Sequence, residues 1–410
     1  GEKIIYEATF FHDGVIVALD VLVKDAQGWK AYEVKSSTSV SDTYVKDAAI
    51  QYYTILNSGI DLKDISIVYI NNQYVREGKL KIDELFTIES VKDRVLEYLP
   101  AIPNKVSRLK SVIEKTSAPD VEIGTHCSKP YVCDFKGTCW KNIPEYSVFN
   151  IANLNADKKF DFYNKGIVTL DQIELSESTL SPNQILQVQS EIDGTSYIDQ
   201  DQIMKFTSSL RYPVYYLDFE TIGPSIPVFE GSKPYQQLVF QYSLHIQEIS
   251  GSESIHKEYL ADPKEDPRIK FIEQLILDCG VSGDILVYNI GFEKGKIEDL
   301  IETFPEHSIE LQKIISRLKD LMVPFQKKWY YTPKMRGSYS IKQVLPALVP
   351  ELSYNDLEIN EGGNASNTFL SMVNGTFKGN ESQTRKSLLE YCKMDTYAMV
   401  KIVEKLNEIK

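Results

Sequence analysis

Apolar residues along this chain gather into short runs separated by turn formers, and the period of each run predicts an element. GVIVALDVLV from Gly14 and WKAYEVKSS, broken at residues 25–28, read as the two arms of a β-hairpin. Val45, Ala49, Tyr52, Tyr53 and Leu56 fall at helical spacing, which predicts an amphipathic helix over 43–58 with one buried face. DISIVYIN (64–71) predicts another strand, and helical patterns follow at about 88–99 and 104–116, before a cysteine-bearing loop at 124–140. Residues 144–210 carry short helical patterns and little strand pattern. A second strand-rich pattern opens at PVYYLDFET (213–221), and LVFQYSLHIQ (238–247) alternates like a strand with one exposed face. A helix at 266–279, the strand DILVYN (284–289), a helix from Phe292, one near 340–348 and a long helix from about 382 complete the series.

Strands interleaved with helices on either side of a strand-poor middle predict an α/β protein: two mixed-sheet domains, 1–143 and 205–410, joined by a helical connector at 144–204. A length of 410 residues exceeds one ordinary core, in keeping with that division. Hydrophobic content of 42% is that of a globular chain, and no run approaches the roughly 18 apolar residues that span a bilayer, so no membrane partner is expected. No basic segment followed by an apolar one opens the sequence, and five cysteines are too few for a disulfide scaffold, which points to a reducing, cytoplasmic compartment. The net charge of -13 argues against binding nucleic acid by bulk positive charge. It is compatible with carboxylate clusters that hold divalent cations, because the ions reverse the local field.

Asp218 and Glu220 lie two apart on a predicted strand, so both side chains point to one face and can share a cation. Carboxylates are the hard ligands that Mg²⁺ or Mn²⁺ prefers, and two such ions about 3.5–4 Å apart suit phosphodiester hydrolysis. YLDFET is followed in order by VYNIGFEKGKIEDL and YCKMDTYAMVKI, and in this order the segments resemble those of the DnaQ-like, or DEDD, exonucleases of the RNase H-like fold. The resemblance, over residues 210–405, implies metal ligands at Asp218, Glu220, Glu293 and Asp395 and a catalytic Tyr391, the tyrosine variety of the site. Glu293 stands where that family usually has Asp, one methylene shorter. GSYSIKQVLPAL (337–348) looks like the family's Ser-led helix beside the site, and Asp320 before it reads as structural. Tyr391 and Asp395 are four apart, one helical turn, so the phenol can orient water beside the Asp395 carboxylate.

In the first domain, Asp20, Glu33 and Lys35 sit on the hairpin arms, with Glu33 and Lys35 on one strand face. The set resembles the PD-(D/E)xK nucleases, the RecB-like and CRISPR-associated ones in particular, and implies one or two divalent ions between Asp20 and Glu33 with Lys35 positioning water or stabilising charge on phosphate. The same likeness implies a role for Gln51 on the polar side of the next helix, with Glu7 in support. The tyrosine those nucleases carry four residues later is replaced by Ile55, although Tyr52 and Tyr53 lie alongside.

Cys127, Cys133 and Cys139 form C-x5-C-x5-C, and the iron-sulfur members of that nuclease group place three cysteines here and a fourth near the N-terminus. No cysteine precedes Cys127, so a [4Fe-4S] cluster would be incomplete in this chain: either its fourth ligand lies ahead of Gly1, the favoured reading, or the cluster is absent. Cys279 and Cys392 read as buried packing residues. In the connector, KKFDFYNKGIVTLDQI resembles a helix-hairpin-helix backbone binder, its plainer reading being a helix-turn-helix linker turning at Gly166.

The resemblance as a whole is to bacterial proteins that fuse a RecB-like nuclease to a DEDDy exonuclease. It implies hydrolysis of DNA or RNA from a free 3′ end, with a second nuclease site upstream. A nucleic-acid-binding scaffold with inactive nuclease folds and a hydrolase of short oligonucleotides are the other classes compatible with these residues, and neither oligomeric state nor a choice between DNA and RNA follows from them.

Overall fold

The computed structural model describes residues 3–177, 179–354, 358–359 and 361–409. The chain is α/β and divides into two compact units, Gly1–Cys133 with Pro224–Gln236, and Asp134–Gly223 with Gln237–Lys410. Residues of the connector therefore belong to the second unit, and a short segment from the second half of the chain belongs to the first.

The first unit is built on a sheet of order β1-β2-β3-β4-β5: β1 (Ile4–His12), β2 (Val15–Asp25), β3 (Gly28–Lys35), β4 (Leu62–Ile70) and β5 (Phe86–Ser90). The predicted hairpin is β2 and β3, paired antiparallel from Val21↔Tyr32 to Asp25↔Gly28. Edge strand β1 has no readable alternation because Ile4, Tyr6 and Phe11 face solvent. The Asp42–Asn57 helix links β3 to β4, which pair in parallel, and its first turn is capped by Ser41, whose hydroxyl accepts from the Tyr44 N–H. Val45, Ala48, Ala49, Tyr52 and Ile55 bury against Leu19, Leu22, Ala31, Ile65 and Ile67. Ile55 takes the core position expected of Leu56, which is exposed. Residues 88–90, expected to be helical, belong instead to β5, where ladder pairing from Phe86↔Ile70 to Ser90↔Ser66 overrides the local pattern. Helices Lys92–Tyr98 and Ile102–Ile113 follow.

In the second unit a two-residue ladder pairs β6 (Tyr197–Ile198) with β12 (Tyr330–Tyr331). The main sheet has order β11-β10-β7-β8-β9, from β7 (Val214–Ile222), β8 (Leu238–Gln247), β9 (Ile255–Leu260), β10 (Asp284–Val287) and β11 (Leu318–Asp320). Central β7 runs antiparallel to β8 and parallel to β10. Phe219 and Tyr242 pack on Phe271 of the Arg268–Asp278 helix. Gln241, Ser243 and His245 bond instead to the C-terminal Glu381–Asn407 helix, at the Leu388 carbonyl and the Thr396 hydroxyl. This corrects the expectation of an exposed face on β8, all ten residues of which are buried. Its polar residues alternate because they hydrogen-bond to a covering helix, not because they meet water. In the connector, the Ala156–Asn164 helix turns at Gly166 (φ 78) into the single 3₁₀ turn Leu170–Gln172. Among the described residues no helix is long and apolar enough to cross a membrane.

The strand that leads to Glu293 is clamped at its start. Asp284, fully buried, accepts from the Arg211 guanidinium at 2.9 and 2.7 Å and from the Arg211 N–H at 2.8 Å, and pairs with Lys319 at 2.8 Å. Gly283 beside it holds φ +83, and a Cβ there would lie 1.9 Å from the Pro213 carbonyl oxygen. Gly283→Ala is therefore expected to cost at least about 2 kcal/mol in a urea titration, from the left-handed backbone and the clash together.

Candidate functional site

The middle of β7 carries Asp218 and Glu220, and the last helix brings Asp395 across them: one carboxylate oxygen from each lies within 4.8 Å of the others. No other cluster of three or more such donors forms among the described residues. Glu293 enters from the Ile290–Thr303 helix, and its charge acts on Asp218. That helix starts from Asn289 in left-handed backbone (φ 81), and Asp320 at the end of β11 accepts from the N–H groups of Asn289, Ile290 and Met322 at 3.1, 3.2 and 2.8 Å. Asp320 thus holds the backbone one turn before Glu293, a structural part as expected. Glu293 is 1% exposed and its Oε2 has no hydrogen-bond partner.

Tyr391, one turn before Asp395, is buried, and the charges of Asp395 and Glu220 act on its phenol. A Cβ added to Gly362, in the first turn of the Gly362–Val373 helix, would stand 3.7 Å from Glu220 Oε2 and 3.8 Å from the Tyr391 oxygen. Tyr354 donates to Asp395 at 2.8 Å, and the Cys392 thiol lies 3.6 Å from Asp218 Oδ2, so Cys392 touches the site as well as filling space. Lys342, from the Ile341–Leu348 helix, places its ammonium 5.6 Å from the Tyr354 ring centre and 5.5 Å from that of Tyr391. Lys342, Tyr354 and Gly362 escaped the sequence reading. Lys342 lies within the segment singled out as packing beside the site, whereas Tyr354 sits in a loop whose spacing carries no signal.

Burial and mutual repulsion push these acids up. Burial, then the charges of Asp395, Glu220 and Glu293, holds Asp218 well above the carboxylate range. Glu220 rises to about 8 through burial and Asp395, partly offset by Lys342. Burial takes Glu293 to about 8 and Asp395 to about 6, the latter eased by Tyr354 and Lys342. Burial and the three carboxylates likewise keep the Tyr391 phenol protonated. A set of hard oxygen donors with an unpartnered buried oxygen and too little positive charge fits one or two divalent cations.

In the first unit, Glu33 and Lys35 share a face of β3 and pair at 2.8 Å. Lys35 also pairs at 2.6 Å with Asp47, a residue the sequence reading missed, although it lies one turn before Gln51 on the same helix. Burial alone would lower the Lys35 ammonium, but hydrogen bonds to Asp47 and Glu33 outweigh it and hold the charge well above the usual lysine range. Asp20 stands beside β3, with one oxygen accepting from the Val34 N–H at 2.6 Å. Gln51 is 5% exposed rather than on a polar face, and its Oε1 and Glu33 Oε2 are both buried without a partner. Tyr52 spends its hydroxyl on the Leu62 carbonyl, Tyr53 packs edge-on against His12, and Glu7 is exposed on β1 in left-handed backbone (φ 53).

Cys127 is buried in the Thr125–Cys127 turn, and its carbonyl accepts from the N–H of exposed Cys133. Exposed Cys139 ends the short Lys136–Cys139 helix. All five cysteines are free thiols.

Residues 215–340 match a domain of unknown function (DUF2779), a span that contains Asp218, Glu220, Glu293 and Asp320 and stops before Lys342, Tyr391 and Asp395. An uncharacterized protein of Ureaplasma parvum is 30% identical over 176 residues, 38% of this chain and 25% of its own length. An uncharacterized protein of Mycoplasma genitalium is 28% identical over 214 residues, 48% of this chain and 32% of its own. Its Mycoplasma pneumoniae homolog is 28% identical over 206 residues, 46% of this chain and 31% of its own. The matches thus span about a quarter to a third of these curated relatives. No solved structure matches the chain.

The raised acids set a pH dependence. A carboxyl whose folded pKa lies above its unfolded value binds extra protons in the folded state, so its contribution is full at low pH and is lost as pH rises through the folded value. For Glu220 and Glu293 that loss extends up to about pH 8. Buried His245 and His256, lowered by burial to about 3 and about 4, oppose this trend only below the ordinary histidine pKa of 6.5. Metal-free protein is expected to lose about 1–3 kcal/mol between roughly pH 6.5 and 8. Added Mn²⁺ should reverse the loss and the Glu220→Gln, Glu293→Gln double variant should flatten it, as followed by thermal melts.

Proposed function

We propose that this chain is a metal-dependent nuclease of a reducing, cytoplasmic compartment. Its C-terminal half degrades DNA or RNA from a free 3′ end, and Asp20, Glu33 and Lys35 form a second nuclease site. The observation that carries this reading is the convergence of Asp218, Glu220 and Asp395 within 4.8 Å, with Glu293, one of whose oxygens is buried without a partner, acting on Asp218.

Asp218, Glu220, Glu293 and Asp395 would hold two Mg²⁺ or Mn²⁺ ions, with Asp20 and Glu33 holding one or two at the second site. Bound there, the ions supply Lewis acidity and the charge that lowers the pKa of water and stabilises a leaving oxygen. The protein's own groups do the rest. Tyr391, held protonated by burial and the nearby carboxylates, donates a hydrogen bond that orients the attacking water or a phosphate oxygen and does not act as the base. The Lys342 ammonium, across the Tyr391 ring, meets a non-bridging oxygen of the scissile phosphate as negative charge grows on it. In the first unit, Lys35 is fixed by Asp47 and Glu33 in a protonated, phosphate-facing role.

The test is degradation of 3′- and 5′-end-labelled single-stranded DNA and RNA with and without Mn²⁺. Asp218→Ala or Asp395→Ala should slow removal of 3′ nucleotides by about 10²–10⁴-fold without unfolding the domain. Full activity in Asp218→Ala would refute the assignment. Lys342→Met should lower kcat by about 10–100-fold with little change in KM, the mark of a contact that strengthens in the transition state. Any cleavage that survives in Asp218→Ala should vanish on adding Glu33→Gln; its persistence would remove the second site from the proposal.

A further inference from the structure

An open pocket of about 650 Å³ lies in the first unit beside the Glu33 and Lys35 face. Ser37 and Ser39 line it just past the end of β3, with Tyr44 and Asn72, and with Lys233 and Tyr235 from the Pro224–Gln236 segment. Its volume is in the range of sites that enclose a small ligand. The pocket abuts the proposed second site, because the Lys35 ammonium stands 5.5 Å from the centre of the Tyr44 ring.

The far wall is built and held. Arg76 donates through its guanidinium to the carbonyls of Pro227 (3.0 Å) and Val228 (2.7 Å), its N–H bonds to Ser232 and its carbonyl accepts from Gly231. The Glu230 carboxylate accepts from the Gly78 N–H at 2.9 Å, and Ile226 packs on Ile70, Tyr74 and Leu85. On this wall Tyr235 occupies left-handed backbone (φ 61), its N–H held by the Pro224 carbonyl at 2.8 Å, and it is 37% exposed with Tyr44 near enough to act on it electrostatically. A tyrosine in that backbone region carries strain, and such strain persists where the surroundings over-determine it, often at ligand clamps.

Two tyrosines, hydroxyls and an amide, with Lys233 and Lys35 close by in a chain of net charge -13, match the chemistry of an unpaired nucleotide: a flat base, a hydroxylated sugar and a phosphate. We propose that this pocket seats one unpaired nucleotide of a single-stranded nucleic acid, its base on Tyr235 and Tyr44 and its phosphate toward Lys233. The inference rests on the nuclease reading of the Glu33 and Lys35 site, and it assigns that site a strand-binding subsite.

The full chain is incubated in EDTA with a single-stranded oligonucleotide carrying 5-iodouracil and blocked at both ends; affinity is measured, and ultraviolet cross-links are mapped by mass spectrometry. Cross-links at Tyr235 or Tyr44 are expected. Tyr235→Gly should weaken binding by about 5- to 150-fold, Tyr235→Phe should bind like the parent chain, and Lys233→Glu, on an exposed side chain, should weaken binding without affecting folding. Parent-like binding by both Tyr235→Gly and Lys233→Glu, or cross-links confined to residues outside the pocket, would overturn the proposal. Cleavage with Mn²⁺ is scored separately. A parent chain that cleaves while those variants bind normally removes the pocket alone. A parent chain that binds and cross-links in the pocket but cleaves nothing removes the nuclease reading and leaves a strand-binding site.

Discussion

Everything in the second unit is arranged around one costly act, the burial of four carboxyl groups against one another. Asp218, Glu220 and Asp395 stand within 4.8 Å, and Glu293 leaves an oxygen without a partner. Isolated buried charges cost several kcal/mol each, so the site persists only because the scaffold over-determines it. The scaffold is visible in the parts: β7 is the central strand, the Asp284 clamp anchors β10, Asp320 holds the turn before Glu293, and the Ser243–Thr396 and Gln241–Leu388 bonds fix the helix that carries Asp395. Local order of this kind keeps like charges together when electrostatics alone would separate them.

The first unit meets the same problem with an internal counter-ion. Lys35 lies between Glu33 and Asp47, so part of the negative charge is balanced before any cation arrives. What remains buried without a partner is the pair Glu33 Oε2 and Gln51 Oε1. In the second unit Lys342 eases Glu220 and Asp395 and sits against two aromatic rings.

Most of this was legible where a side-chain period or a fixed offset carries the geometry. Two residues apart on a strand placed Asp218 with Glu220 and Glu33 with Lys35, and four apart on a helix placed Tyr391 with Asp395, because these offsets are set by the backbone alone. The β2–β3 hairpin and the linking helix were legible for the same reason. What could not be read depends on tertiary contact. The polar alternation of β8 is the same string whether its face meets water or Thr396 and Leu388. The end of strand β5, residues 88–90, falls in a helical pattern and is decided by its pairing with β4. Tyr354 reaches its site from a loop whose approach no local spacing encodes, and Gln51 is helical as expected but faces inward.

The difference between the two sites bears on how the proposed chemistry would depend on metal. Where a counter-ion is built in, Lys35 offsets one of the three nearby carboxylates, and an added divalent cation meets Glu33 through the oxygen that Lys35 leaves open. In the second unit, where burial raises all four acids, bound protons must be displaced as a divalent cation binds, which makes its affinity rise with pH. The C-terminal site is therefore the more strongly coupled of the two to both pH and divalent ion, and its ligands are also the groups whose burial is hardest to sustain without one. A chain with a net charge of -13 can still meet phosphate there, because the charge that matters is the local one, and in the second unit that local charge is set by the occupancy of four carboxylates.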